Sequence, residues 1–155
     1  MQNYIKSQTR LAFVQYIFQN EFISTDSLES IEDFQKHFYD TNIAIIDEKK
    51  EFKLKFNKNF LNKLFSSFKN NIDKKNIIDD LNGFIDINRK FEKWDNILKS
   101  IIFAIISELK ITDKTKFKIV LNDYLNISKS LVSEKETKLI NAIIQKYIDK
   151  DEIKK

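Results

Sequence analysis

No proline and a single glycine, Gly83, occur in 155 residues, and that scarcity restricts the fold more than any motif does. Sheet-rich folds turn often and tightly, and their turns call for proline or for residues that tolerate positive φ. A chain poor in both is built of long helices joined by short polar connections, so the expected class is all-α. Hydrophobic content of 42% and charged content of 32% suit a folded chain rather than a disordered one. At this length one domain, over about residues 1–150, can bury a substantial core, with 151–155 as a frayed tail.

Helical spacing of apolar residues recurs along most of the chain and predicts a compact bundle of about seven helices. The first, over about 3–21, turns Phe13, Val14, Ile17 and Phe18 inward, with Arg10, Gln15 and Gln19 on the other side. STDSLES at 24–30 offers N-cap residues for a second helix, which carries Leu28, Ile31, Phe34 and Phe38 inward. Two more follow from 57, one presenting Leu61, Leu64, Phe65 and Phe68 and a shorter one presenting Ile77, Ile78, Leu81 and Phe84. DNILKSIIFAIISEL at 95–109 is apolar almost all round, which places it at the centre of the bundle. Thr112 or Asp113 caps a sixth helix with Phe117, Val120, Leu121, Tyr124 and Leu125 inside. A capping box at Ser133 and Glu136 opens the last, where Leu139, Ile140, Ile143, Ile144 and Tyr147 pack. Residues 41–56 read two ways. The strict alternation of EFKLKF predicts a strand that pairs with IAII as a short hairpin, and the other reading is a long loop.

The residues that carry chemistry are few. His37 is the only histidine and there is no cysteine, so the ligand set for a zinc site is lacking, and His37 reads as a surface or cap residue. One glycine cannot build a phosphate-cradling loop. Asp79 and Asp80 lie near Lys74 and Lys75 and read as a solvated helix face, while Trp94 reads as a core or boundary anchor. No nucleophile, base and oxyanion arrangement emerges, so neither an enzyme nor a cofactor is expected. The longest apolar run, IIFAII, falls far short of the roughly 18 residues of a membrane span, and the N-terminus lacks a signal layout. A cytoplasmic protein without membrane contact is the expectation. The net charge of +4 rests on lysine, with only Arg10 and Arg89 as arginines, and the whole composition leans to Ile, Lys, Asn and Phe.

Three segments, in order, carry a resemblance: RLAFVQYIFQ at 10–19, ILKSIIFAII at 97–106, and FKIVLNDYLNISKSLVSEKETKLINAIIQK at 117–146. They resemble the NusB family of transcription antitermination factors, with Arg10, Gln15, Lys99, Asn122, Asp123, Lys138 and Asn141 in register. Departures from that pattern are Ala104 for a glutamate, Ala142 and Ser67 for glycines, Leu139 for phenylalanine, and a thinned N-terminal basic cluster.

The resemblance implies a helical bundle that binds boxA-type single-stranded RNA together with the ribosomal protein NusE. Such a complex promotes read-through in ribosomal RNA operons and acts indirectly on the RNA polymerase elongation complex. By the same resemblance Lys6 and Arg10, one turn apart, contact RNA together with Lys135, Lys138 and Asn141, which would lie near Arg10. Phe18, Trp94 and Asp95 then face the protein partner. A solvated helix face is the alternative for Lys6 and Arg10, and a core position for Phe18. Two other functions stay open. One is a helical protein–protein adaptor with weak or lost RNA binding. The other is the NusB-like domain of an RNA cytosine methyltransferase, for which the chain offers no methyl-donor site.

Overall fold

The computed structural model describes residues 3–22, 43–47, 50–53, 56–85 and 90–153. Along them run α1 (Asn3–Phe22), β1 (Ile43–Asp47), β2 (Lys50–Lys53), α2 (Lys58–Asn71), α3 (Lys74–Asn82), α4 (Asn96–Leu109), α5 (Phe117–Ser128) and α6 (Glu134–Ile153). Single 3₁₀ turns precede α4 at Phe91–Lys93 and α5 at Lys114–Lys116. The fold is all-α apart from the antiparallel ribbon, which pairs Ile43 with Lys53 and Ala44 with Phe52 and shifts register between Ile45 and Asp47. Six of the roughly seven predicted helices lie among the described residues. The predicted second helix, with Leu28, Ile31, Phe34 and Phe38, lies outside them, as does His37.

Local chemistry fixes the helix starts. Asn57 and Asp73 accept from the amides of Phe60 and Asn76, each satisfying a donor that the first turn leaves unpaired. Ser133 and Glu136 form the reciprocal capping box that their spacing predicts, with Oγ accepting from the Glu136 amide at 3.1 Å and the Glu136 carboxylate accepting from the Ser133 amide at 3.1 Å. Asp113 opens only the 3₁₀ turn, so α5 begins at Phe117, a turn later than either predicted cap.

The apolar 96–109 helix is the axis of the molecule: every residue from Ser100 to Leu109 is buried. Its neighbours are α1, α2, α5 and α6. Arg10 meets Glu108 near the end of α4 while Phe22 lies 5.0 Å from the Lys99 ammonium near its start, so α1 runs antiparallel to it. Leu139 shares a groove with Leu98, and the Tyr147 ring lies 5.7 Å from the Lys110 ammonium, so α6 runs parallel to it. Phe13, Phe68, Phe103 and Phe91 form a chain of edge-on rings through the core, with centroids 5.6–6.4 Å apart. Hydroxyls inside this core bond to helix carbonyls, as Ser67 does to Ser107 at 2.6 Å, and among the described residues no buried side-chain polar atom lacks a partner.

Candidate functional site

Arg10 does not face solvent. Its residue exposure is 7%, and the guanidinium lies between Glu108 of α4 and Asp123 of α5. Nε and Nη2 donate to Glu108 over 2.6–3.1 Å, and Nη1 donates to Asp123 at 2.6 Å. The fork geometry of the guanidinium suits such two-sided pairing. The Phe60 and Tyr124 rings lie 5.5 and 5.7 Å from its central carbon. Tyr124 donates to Glu108 at 2.9 Å, and Ser7 donates to Asp123 at 2.6 Å. Burial, then the nearby Glu108 carboxylate, push the Tyr124 phenol well above its usual range, so it stays a neutral donor. Burial alone would lower the Arg10 pKa, but the hydrogen bonds and charge of Glu108, joined by Asp123, outweigh it and raise it.

The reading of Arg10 as a phosphate-facing cation is therefore corrected: it is buried, and each of its three guanidinium nitrogens donates inside the protein. Lys6, its predicted companion, is half-buried and retains its ammonium for other partners. Glu108 and Tyr124 were not among the candidate residues. The available signal was an acidic residue inside an otherwise apolar helix, which must find a buried partner. Ala104 stands where the resemblance puts a glutamate, and Glu108 lies one turn further along the same helix.

At the other end of α4 is a groove of about 530 Å³, walled by Trp94, Leu98 and Leu139, with Asp95, Lys135, Glu136 and Lys138 at its polar edges. Trp94 is 4% exposed and packs against Phe91 at 5.4 Å, so it is a core anchor with one edge on the groove. Asp95 takes the N-cap position of α4, yet its side chain caps nothing and is exposed. Lys135, Lys138 and Asn141 are exposed along the outer face of α6, with Lys138 3.8 Å from Glu134. Phe18 is half-buried one turn before Phe22, towards the same end of the bundle.

The predicted sites are thus grouped differently from their expectation. Lys135 and Lys138 join Trp94 and Asp95 at the start of α4, whereas Lys6 and Arg10 belong to its far end. Leu98 and Glu108 are ten residues apart, about 15 Å along the helix axis. Among the described residues no group of three or more metal-binding side chains forms, and no helix is long and apolar enough to cross a membrane.

The model of the NusB family matches residues 7–149, which overlaps every helix described above and leaves out only the first turn of α1 and the last turn of α6. The chain is similar to the transcription antitermination protein NusB of Rickettsia conorii (strain ATCC VR-613 / Malish 7), 28% identical over 141 residues that cover 91% of this chain and 89% of the relative. The proteins of that name from Rickettsia massiliae (strain Mtu5) and Rickettsia felis (strain ATCC VR-1525 / URRWXCal2) are 27% and 26% identical over the same shares. No solved structure matches the chain. A family match that runs through the whole bundle, from the turn of Ser7 to the last turns of α6, makes this chain a member of the NusB family.

Proposed function

We propose that the chain is a cytoplasmic transcription antitermination factor that binds boxA-type single-stranded RNA together with the ribosomal protein NusE. In this role it promotes read-through in ribosomal RNA operons and acts on the RNA polymerase elongation complex indirectly. The observation that carries the reading is the NusB match over residues 7–149, joined to relatives named for antitermination. The chemistry agrees with it. Binding a single strand requires cations for phosphates and groups that hydrogen-bond or stack on unpaired bases. Lys135, Lys138 and Asn141 offer two such cations and an amide on one exposed helix face, and Lys6 offers a further cation. Phe18, Asp95 and the groove edge of Trp94 are the contacts assigned to NusE. Arg10 is left out of the RNA contacts because its donors are engaged by Glu108 and Asp123.

The test is capture of NusE and a labelled boxA RNA on the immobilised protein, with a scrambled RNA of equal length beside it. Retention of NusE and boxA RNA together, above the scrambled strand, is the expected result. Retention of neither would overturn the reading. One observation favours a second function: with its first-helix arginine committed internally, the protein retains fewer free cations for RNA. A helical adaptor of that kind would hold NusE firmly while its RNA interaction stayed weak and insensitive to salt, since phosphate contacts must weaken as salt rises.

A further inference from the structure

The start of α1 is tied to α5 through one carboxylate. Asp123 accepts from Ser7 Oγ at 2.6 Å and from Arg10 Nη1 at 2.6 Å, so two successive turns of α1 end on the same side chain. Arg10 is anchored in turn by Glu108, and the Thr9 hydroxyl, fully buried, accepts from the Asn57 amide at 2.9 Å. Beyond Ser7 no tertiary hydrogen bond or ion pair holds the described part of the helix, where Tyr4 stands 50% exposed and Lys6 is unpaired. Tyr4 lies three residues before Ser7 and shares its side of the helix. Single-strand binding uses rings that stack bases and cations that meet phosphates. The first turns of α1 carry one of each, the exposed Tyr4 ring and, on another side of the helix, the Lys6 ammonium. Ser7, Arg10 and Asp123 contribute neither group, but they fix where both are presented.

We propose that Ser7, Arg10 and Asp123 form a clamp that positions the first turns of α1 for RNA, with Arg10 a positioning residue rather than a phosphate contact. This rests on the RNA-binding reading above. The clamp matters because helix ends open locally at little free-energy cost. Loss of one hydrogen bond to a charged group shifts the docked-to-open ratio of such an end by about tenfold or more, and apparent affinity falls with the docked fraction.

The experiment compares the full chain with Ser7→Ala and Asp123→Asn in boxA RNA titrations over a range of salt, alongside hydrogen exchange of the amides in residues 6–10. Ser7→Ala removes no charge and leaves the Arg10–Glu108 pair intact, so it keeps the test valid if Asp123→Asn fails to fold. The clamp predicts faster exchange at the start of α1, RNA binding weaker by up to about tenfold, and an unchanged dependence on salt. Faster exchange with unchanged affinity would make the contacts merely structural and overturn it. Weaker binding without faster exchange would mean that Ser7 touches RNA directly, which also overturns it. Failure of the unaltered chain to bind RNA overturns the RNA reading itself and with it the clamp's role, whereas a binding parent with an equally binding Ser7→Ala variant overturns the clamp alone.

Discussion

Arg10 shows how much one side chain's environment can change its role. Placed one turn from Lys6, it has the spacing of a solvent-facing basic pair, and that local signal is all a neighbouring stretch of sequence can give. Its acceptors are 98 and 113 residues away in the chain, so nothing within its own helix announces them. Removing it exposes the cost of the arrangement. Arg10→Ala leaves Glu108, only 3% exposed, without its cation, and a broken buried pair costs about 3–5 kcal/mol. Chemical denaturation of the variant is expected to show a loss of that size. A loss below about 1 kcal/mol would mean that water or another group satisfies Glu108. The exposure of Lys135, Lys138 and Asn141 follows from local spacing, because Ile140, Ile143 and Ile144 take the buried side of the same helix, but their place beside Trp94 rather than Arg10 does not.

At the scale of elements, most of the helices could be placed from sequence because their signals are local. The 3.6-residue period located the buried faces of α2 and α4 and most of that of α6, where Leu139 is exposed on the groove instead of packed. Of the helix starts the capping box at Ser133 was legible, whereas the caps at Asn57 and Asp73 come from the structure. The ribbon between residues 43 and 53 was one of two readings, since strict alternation over a few residues is also compatible with a loop that packs its aromatics. Helix order in space was less legible. That α6 runs parallel to α4, bringing Lys135 and Lys138 beside Trp94 rather than beside Arg10, depends on tertiary packing and not on any period. The capping box yields a prediction at this scale. Ser133→Ala removes the acceptor for the Glu136 amide at the head of α6 and is expected to cost about 1 kcal/mol in denaturant unfolding. No measurable change would show that water replaces the hydroxyl there without penalty.

For the whole molecule, the central α4 separates two candidate sites. Its end at Glu108 gathers the ions and the clamp that hold the start of α1. Its beginning carries the groove where the basic face of α6 meets Trp94 and Asp95. The family was legible in sequence because three ordered segments span nearly the whole chain, and the match over residues 7–149 agrees. Which of the candidate cations remain free was not legible, since it is decided by partners distant in sequence, as Glu108 and Asp123 decide it for Arg10.

The central claim is that the lysines of α6 contact the phosphates of boxA RNA. It is tested most directly by titrating that RNA against the full chain and against the Lys135→Ala, Lys138→Ala double variant across a range of salt, with NusE saturating. Loss of two phosphate contacts on a single strand predicts weaker binding and a log affinity versus log salt slope shallower by about 1.4. Equal affinity and equal slope in the two proteins would contradict the account.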